Sequence, residues 1–400
     1  MPSARILILT TGPLCRNPRP LKEALTLAGA GYAVTVVTGY EGESCAQEDL
    51  SFVAGTGIAL SPLRPPAGLR GFAQRARTAL ARRVVERLGW QLPSSLGPGP
   101  ALLAHVRSLG SDLVIAHNES ALWAAHQLHA AGRRVAADLE DWYSEDLLPA
   151  ARRVRPIRLL RALERSTLHE FAYASTTSHA LAAALQKTHG GQLAWVVPNT
   201  FPLQPLAPPV LNHMPALLWF SQTIGPGRGL EAFLAAWRIA RVPSRLVLVG
   251  RCAADYRRSL GALLPPDKAA QLEFVDFVAS PLLPGLLARH DLGLALEPHE
   301  PLNKEYTTSN KIYQYLNAGL AVLATPTAGQ REVFARAPGI GVLLDLAHPI
   351  QTAANLDALL GDRPRLLALR QAARAAAEQQ FCWEKTAPTL LAAVAAALAA

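Results

Sequence analysis

The sequence predicts an α/β protein made of two doubly wound domains that face one cleft. Short apolar runs alternate with helical stretches in the first part of the chain, and the same alternation starts again at residue 216. Strands that alternate with helices of this length are typical of right-handed βαβ units in a parallel sheet. Five prolines from Phe201 to Pro215 disfavour regular structure between the two halves. The length of 400 residues supports this division, because one hydrophobic core rarely spans so long a chain.

The first half is predicted to hold four strands and two regular helices. The strands are continuous apolar runs, which is typical of strands buried on both faces of a parallel sheet. The predicted strands are 6–9, 33–38, 112–116 and 134–137, and the predicted helices are 20–29 and 120–131.

Between Ser61 and Pro100 the alternation breaks, and prolines open and close the stretch. Inside it, at 71–90, an apolar side chain recurs every fourth residue and arginines fill most of the rest, which predicts a basic amphipathic helix. The apolar positions are Phe72, Ala76, Leu80, Val84 and Leu88, and the arginines are Arg75, Arg77, Arg82, Arg83 and Arg87. Two interpretations stay open: an ordinary surface helix with a solvated basic face, or contact with anionic lipid headgroups or an anionic acceptor.

The second half is predicted to repeat the strand and helix alternation after the proline-rich stretch. Its predicted strands are 216–221, 244–250, 272–277, 292–297 and 321–324, and its predicted helices are 230–239, 281–289 and 310–317.

The composition limits the class of protein and of partner. Lysine and arginine total 39 against 30 acidic residues, and half of the residues are hydrophobic. This excludes a wholly disordered chain and predicts an anionic partner, which could be a membrane, a nucleic acid or a phosphorylated small molecule. Nucleic acid is the least favoured, because the basic residues cluster in one helix without interleaved aromatic side chains.

The cysteines and the termini indicate the compartment. The four cysteines are far apart and form no Cys-x-x-Cys pair, so neither a zinc site nor a disulfide framework is predicted. The apolar run 6–9 is too short for a signal-peptide core, and the alanine-rich tail covers only about half of the roughly 20 residues that a membrane span needs. We therefore expect a cytoplasmic protein, with the inner face of a membrane as a candidate place of contact.

A glycine-rich loop, Gly225-Pro226-Gly227-Arg228-Gly229, follows a predicted strand and opens a helix. Glycines let a backbone approach a phosphate closely, and a helix N-terminus presents free N–H groups and partial positive charge. A dinucleotide fingerprint would need a third glycine where Leu230 stands and an acid about 20 residues later, and both are missing. The loop therefore predicts an anion site, with Arg228 as a donor to phosphate oxygens. The alternative is a plain turn with a solvated arginine.

The segment 307–319 gives the strongest indication of a binding site. Ser309 or Asn310 suits an N-cap, so the first N–H groups of the helix would point into the cleft. Lys311 adds a positive charge at that end, where a cation is unfavourable unless an anion binds there. Gln314 lies one turn after Asn310 on the same face and could hydrogen-bond a ribose hydroxyl. The apolar positions Ile312, Tyr315 and Leu316 are predicted to face the core, and Gly319 to end the helix.

The run SNKIYQYLNAGLAVLAT at 309–325 resembles the nucleotide-binding signature of GT-B glycosyltransferases, in particular the large retaining group similar to glycosyltransferase family 4. Further stretches resemble other parts of that group in the expected order, at 16–39, 112–146, 196–202, 219–237 and 381–387. The resemblance implies two Rossmann-like domains: an acceptor-side domain at 1–205 and a nucleotide-sugar-binding domain at 206–380. It also implies a final helix, 381–400, that packs back on the first domain.

The resemblance assigns the donor site residue by residue. Arg228 matches the phosphate-binding lysine of the family, and Gln314 stands where the family has a glutamate on the ribose. The implied donor-binding residues are Gly227, Arg228, Gly229, Val275, Phe277, Ser309, Asn310, Lys311 and Gln314, with Val275 and Phe277 at the base. Gln222 replaces a family arginine and Tyr306 replaces the first of two paired glutamates. Glu297 and Glu305 show the spacing of that pair but lie out of register with Gly319, so we interpret the match as coincidence.

On the acceptor side, His117 follows a strand where the family often has a catalytic or acceptor-orienting histidine. A lone histidine at a strand end can equally be structural. Asp141 stands where the family has a glutamate, and the resemblance implies that it orients acceptor hydroxyls, with helix capping as the alternative. Counting Arg228 and Lys311 at the leaving diphosphate, the catalytic candidates are His117, Asp141, Arg228 and Lys311.

The function predicted from the sequence is transfer of a sugar from a nucleotide diphosphate sugar to a hydroxyl on a glycan or a lipid-linked intermediate, with retention. No Asp-x-Asp occurs in the sequence, so we expect basic groups and helix N-termini, instead of a metal, to neutralise the departing diphosphate. No resident cofactor is expected. Two alternatives stay open: a sugar-nucleotide epimerase of the same fold, and a non-catalytic nucleotide-sugar-binding protein, favoured by the replacements at Gln222, Tyr306 and Gln314.

Overall fold

The computed structural model describes residues 3–39, 42–63 and 68–399. The chain forms two compact units. Unit 1 comprises Met1–Val197 and Ala387–Ala400, and unit 2 comprises Pro198–Thr386. The chain therefore passes from one unit to the other after residues 197 and 386, whereas the sequence predicts these boundaries after residues 205 and 380.

Unit 1 is built on a parallel sheet in the order β3-β2-β1-β4-β5-β6-β7. Its strands are β1 Arg5–Leu9, β2 Ala33–Gly39, β3 Ala59–Leu63, β4 Leu113–His117, β5 Val135–Leu139, β6 Ala174–Thr176 and β7 Trp195–Val196. Its helices are α1 Pro18–Gly29, α2 Glu43–Val53, α3 Gly68–Leu88, α4 Gly99–Val106, α5 Glu119–Ala130, α6 Pro149–Arg152, α7 Ile157–Glu170 and α8 His179–His189. The central strands β4 and β5 are buried along their whole length, as their apolar runs predict.

Unit 2 has a second parallel sheet, in the order β10-β9-β8-β11-β12-β13. Its strands are β8 Ala216–Ile224, β9 Arg245–Cys252, β10 Leu272–Val275, β11 Leu292–Ala295, β12 Ala321–Ala324 and β13 Gly341–Leu343. Its helices are α9 Leu230–Trp237, α10 Ala254–Ala262, α11 Pro266–Ala269, α12 Leu283–Leu287, α13 Leu302–Tyr306, α14 Asn310–Asn317, α15 Ala328–Arg336, α16 Pro349–Gly361 and α17 Arg363–Gln379. Helices cover both faces of the sheet, with Trp219 and Phe233 in the core of one face and Ile312 and Tyr315 in that of the other. The prediction of a doubly wound α/β fold is confirmed.

Each sheet reverses its strand order beside its first strand. In unit 1 the reversal lies between β1 and β4, and in unit 2 it lies between β8 and β11. Loops that leave neighbouring strands at such a point diverge and open a crevice at the carboxyl edge of the sheet, where ligands of α/β proteins bind. In unit 2 this crevice is bordered by the glycine-rich loop after β8 and by the segment that leads from β11 to α14.

The two ends of unit 2 lie side by side. Thr200 Oγ1 is 2.8 Å from Thr386 Oγ1, and Phe201 forms a parallel bridge with Cys382. The last helix, α18 (Trp383–Ala399), begins in unit 2 and ends in unit 1, where the Leu398 carbonyl accepts a hydrogen bond from Arg134 (3.0 Å). The prediction that the final helix returns to the first domain is confirmed.

The prediction of an irregular stretch from residue 61 overlooked an edge strand. β3 includes Pro62, which lies opposite Thr38 of β2. Proline lacks an N–H donor, so it is tolerated only where one side of a strand is unpaired, and β3 is the outermost strand of its sheet. The helix α2 (Glu43–Val53), which precedes this strand, is also absent from the sequence prediction.

The basic helix is present, but its apolar stripe does not face the core. Phe72, Leu80 and Leu88 are 65%, 63% and 61% exposed, whereas Ala81 and Val85 are buried. The inward side of α3 is thus one residue beyond the predicted stripe. Among the helices that the structure describes, none is both long and apolar enough to cross a bilayer.

Candidate functional site

The glycine-rich loop of unit 2 is held against the end of β11. Gly229 has φ +74°, and a Cβ there would lie 2.5 Å from the carbonyl oxygen of Leu296. Only glycine combines that backbone conformation with so close an approach. Gly229 is also the N-cap of α9, and no side chain caps the helix there. The loop therefore presents the start of α9 beside residue 296.

Arg228 supplies the charge of this loop. Its side chain is exposed, and it has no carboxylate partner among the described residues. Gly227, with φ +75°, has open space around the position of a Cβ, unlike Gly229. The guanidinium and the uncapped helix start both favour an anion, while Glu231, the acidic residue in the first turn of α9, accepts a hydrogen bond from the Tyr256 hydroxyl.

The start of α14 is fixed at the same edge of the sheet. Gly293 of β11 leaves room for the Tyr315 ring, because a Cβ at residue 293 would lie 2.2 Å from Tyr315 Cγ. Tyr315 Oη also donates a hydrogen bond to the Leu294 carbonyl (3.0 Å). α14 has the predicted bounds 310–317, Ser309 is its N-cap, and Gly319 follows its end with φ +66°.

The N-terminal side chains of α14 converge on one carboxylate. Ser309 Oγ and Lys311 Nζ both donate to Glu297 Oε1, at 2.8 Å and 3.0 Å. The Lys311 ammonium also lies 5.6 Å from the centroid of the Trp219 ring, at a distance that allows a cation–π interaction. Since Gly229 approaches Leu296 and Lys311 contacts Glu297, the starts of α9 and α14 both lie beside the two residues that follow β11.

Glu297 is ionised in this environment. Burial favours the neutral carboxyl, but attraction to Lys311 and Lys304 and hydrogen bonds from Ser309 and Lys311 outweigh it and lower the pKa of Glu297 to about 2. The lysine at the helix start is therefore balanced by a carboxylate of the same chain. The sequence alone favours interpreting the spacing of Glu297 as a coincidence, but the structure places its carboxylate in contact with two predicted site residues, Ser309 and Lys311. The only sequence indication was that spacing.

The second glutamate of that spacing has a different environment. Glu305 Oε1 accepts a hydrogen bond from the Ala328 N–H at the start of α15 (2.9 Å), and Glu305 Oε2 lies 2.5 Å from His299 Nδ1. Glu305 therefore stabilises a helix N-terminus, where a negative charge is favourable.

The remaining predicted donor residues lie around the same carboxyl edge. Gln314 is half-buried and Asn310 is exposed at the start of α14. Val275 ends β10, and Phe277 follows it in a loop, 41% exposed, with the Arg251 guanidinium 4.8 Å from its ring centroid. The predicted strand 272–277 is thus two residues too long.

In unit 1, His117 is buried between two carboxylates. His117 Nε2 is 2.5 Å from Glu23 Oε2, and His117 Nδ1 is 3.3 Å from Asp138 Oδ2. Arg19 donates to both oxygens of Asp138 and, through Nη1, to the Val197 carbonyl (2.7 Å). Although Glu23, His117 and Asp138 lie close enough to hold a metal ion, the Arg19 guanidinium already occupies both Asp138 oxygens and would repel a cation.

The charge on His117 follows from these contacts. Burial disfavours the imidazolium, but the carboxylates of Glu23 and Asp138 outweigh burial and raise the pKa of His117 to about 10. Burial likewise favours neutral Asp138, and Arg19 overcomes it and lowers the pKa of that carboxyl. A protonated ring with both nitrogens facing carboxylates has no lone pair for a proton, so the geometry favours a positioning role for His117.

The other acceptor-side candidates lie at the ends of β4 and β5. Asp141 is half-buried two residues after β5. Asn118 has φ +66°, and its side chain accepts a hydrogen bond from the Ala121 N–H and caps α5. Glu119 pairs with Arg155. The loop after β4 is thus engaged in helix capping and ion pairing.

No family model matches the chain, and no curated protein matches it. Solved structures do match along nearly the whole length. HepE of Anabaena in complex with UDP-glucose is 17% identical, with 98% of this chain and 99% of that chain covered and a TM-score of 0.67. A sucrose-phosphate synthase of Thermosynechococcus elongatus is 16% identical, with 99% of both chains covered and a TM-score of 0.74.

The same fold also occurs in another enzyme class. A protein described as a candidate UDP-N-acetylglucosamine 2-epimerase of Listeria monocytogenes is 13% identical, with 98% of this chain and 96% of that chain covered and a TM-score of 0.57. These likenesses show the fold: two Rossmann-like units of the GT-B type. The resemblance inferred from the sequence motifs is confirmed at the level of the fold.

Proposed function

We propose that this protein is a glycosyltransferase that moves a sugar from a nucleoside diphosphate sugar to a hydroxyl group. One observation carries the proposal: the starts of α9 and α14, neither of which has a side-chain capping hydrogen bond, both lie beside the residues that directly follow β11, with Gly229 against Leu296 and Lys311 on Glu297. Two helix N-termini, a guanidinium and an ammonium at one edge suit a diphosphate, which carries several negative oxygens. The UDP-glucose complex of HepE, a protein of the same fold, supports this choice of donor.

The predicted donor-binding residues contact different parts of the nucleoside diphosphate sugar. Arg228, Ser309, Asn310 and Lys311 bind the diphosphate oxygens, supported by the backbone of Gly227 and Gly229. Gln314 accepts a hydrogen bond from a ribose hydroxyl, and Val275 and Phe277 border the base. Glu297 holds Lys311 in place and offsets the positive charge of its ammonium group.

The reaction is proposed to retain the configuration of the sugar and to need no metal. The cationic side chains and helix N-termini stabilise charge as it develops on the departing diphosphate. The departing phosphate oxygen takes the proton of the acceptor hydroxyl as the new glycosidic bond forms on the same face. Asp141 orients the acceptor, and the buried, charged His117 acts indirectly, by fixing the carboxylates of Glu23 and Asp138.

Donor turnover tests the proposal. Arg228→Ala and Lys311→Ala should each lower kcat/KM for the preferred donor among uridine, guanosine and adenosine diphosphate sugars by about 100-fold, or roughly 2.7 kcal/mol. Arg258→Ala is the matched control, because its guanidinium lies on the exposed surface of α10, where it pairs with the exposed Asp255. Unchanged turnover in both site variants would reject the phosphate assignment.

The same assays separate the alternatives. An epimerase, favoured by the Listeria likeness, would interconvert a free nucleotide sugar without any acceptor. A non-catalytic binder would bind a nucleotide sugar but would neither transfer nor hydrolyse it with any glycan or lipid extract.

The acceptor is proposed to be a glycan or a lipid-linked intermediate of polysaccharide synthesis at the cytoplasmic face of a membrane. The exposed stripe Phe72, Leu80 and Leu88 among the arginines of α3 supports contact with an anionic surface. Vesicles containing phosphatidylglycerol should sediment the protein, and pure phosphatidylcholine vesicles should not. Leu80→Glu should abolish sedimentation, while Ile350→Glu, at an exposed position of α16, should leave it intact. Equal sedimentation of both variants would contradict the contact.

A further inference from the structure

The glycine-rich loop and the strand before it have one cationic side chain fewer than the family resemblance implies. Gln222, where the related transferases have an arginine, is exposed on the last part of β8, and Arg228 is the loop's own cation. A diphosphate carries charge on both phosphoryl groups, so a second guanidinium near Gln222 would complete the site.

The sheet brings another arginine beside the last part of β8. In the β8–β9 ladder Thr223, the neighbour of Gln222, pairs with Arg251, after a register irregularity that begins at Phe220. Gly250, with φ +144°, approaches so closely that a Cβ there would lie 2.3 Å from the Ser221 carbonyl oxygen. The backbone that carries Arg251 is therefore pressed against the strand that leads into the glycine-rich loop.

The Arg251 side chain packs on the Phe277 ring, and none of the described carboxylates pairs with its guanidinium. Its guanidinium lies 4.8 Å from the centroid of the Phe277 ring, and the side chain is exposed. Among residues 3–39, 42–63 and 68–399 it has no carboxylate partner. A stacked guanidinium uses its face for the ring, while its N–H groups point outward in the plane and suit phosphate oxygens.

We propose that Arg251 is a second phosphate-binding side chain, which provides the charge that Gln222 lacks, and that Phe277 positions it. The inference rests on the proposed function, because it assigns Arg251 to the same nucleoside diphosphate. Phe277 then acts on the phosphates through Arg251 in addition to bordering the base.

Binding measured by calorimetry tests the assignment with uridine, guanosine and adenosine diphosphates and with the matching nucleosides. Arg251→Ala should weaken the diphosphate that binds best by about 10- to 30-fold and leave its nucleoside unchanged. Phe277→Leu should weaken the diphosphate by about threefold, and Arg251→Lys should fall between wild type and Arg251→Ala, since it keeps charge but loses the planar fork.

Arg257 offers a matched control. Its guanidinium stacks on another ring of the same sheet, 4.7 Å from the centroid of Phe274, but it lies on α10 instead of the strand next to the loop. Arg257→Ala should leave binding unchanged, and melting curves of all variants should coincide with wild type. Equal diphosphate affinities of Arg251→Ala and Arg257→Ala would overturn the role of Arg251 and leave the proposed donor site standing. So would an equal loss of diphosphate and nucleoside binding in Arg251→Ala. Binding of none of the three diphosphates by wild type would overturn the donor site as well.

Discussion

Asp138→Ala should lower the free energy of unfolding of unit 1 by about 3–5 kcal/mol, because it takes from the buried Arg19 guanidinium the carboxylate that it pairs with and leaves His117 with Glu23 alone of its two carboxylates. Arg19 donates to both oxygens of Asp138, and His117 faces the same carboxylate. Ser175 Oγ would also lose its acceptor, at 2.9 Å. The loss should appear in denaturant unfolding followed by tryptophan fluorescence, to which the buried Trp142 of unit 1 contributes.

Asp112→Ala provides the comparison for this prediction. Asp112 also pairs with an arginine, Arg5, but both side chains are exposed to solvent, and exposed pairs contribute little. The variant should therefore unfold close to the wild-type midpoint. If Asp138→Ala and Asp112→Ala unfolded alike, the buried network would not stabilise unit 1.

Glu297→Gln should destabilise unit 2 by about 3 kcal/mol at pH 7, and this difference should disappear under acid conditions. The pKa of Glu297 is lowered from 4.5 to about 2 by Lys311, Lys304 and Ser309 against the opposing effect of burial. Because the folded-state pKa lies below the unfolded value, the stabilisation is complete above pH 4.5 and is lost as the pH falls towards 2. Denaturant unfolding of both proteins at a series of pH values measures the difference.

Asp255→Asn is the matched control for the acid series. Asp255 pairs with Arg258, but it lies almost wholly in solvent on α10, so its removal should change the stability little at any pH. A constant gap between wild type and Glu297→Gln down to pH 2 would show that the ion pair with Lys311 does not stabilise unit 2.

Local patterns predicted the parts of the site that depend on neighbouring residues in the chain. The bounds of α14 follow from a capping residue, an apolar periodicity and Gly319, all within eleven residues. The glycine-rich loop was recognisable for the same reason. The alternation of buried strands with helices likewise predicted both sheets, because parallel strands need covered faces.

Contacts between distant residues were beyond the sequence alone. Nothing in the chain near His117 indicates that Glu23 and Asp138 would enclose it, since they come from α1 and β5. The pairing of Glu297 with Lys311 depends on how the segment between β11 and α14 folds. Periodicity predicts that α3 has an apolar face, but it does not predict whether that face packs on the core of unit 1 or is exposed to solvent.

Unit 2 could be exchanged as a whole, because its first and last residues lie next to each other. Because Thr200 and Thr386 are in contact and residues 198–386 are continuous in sequence, unit 2 is joined to the rest of the chain at two adjacent positions. A chimaera could therefore exchange this segment with that of a related protein at two junctions only. With the proposed function, such an exchange would recombine donor preference and acceptor preference without a redesign of either sheet.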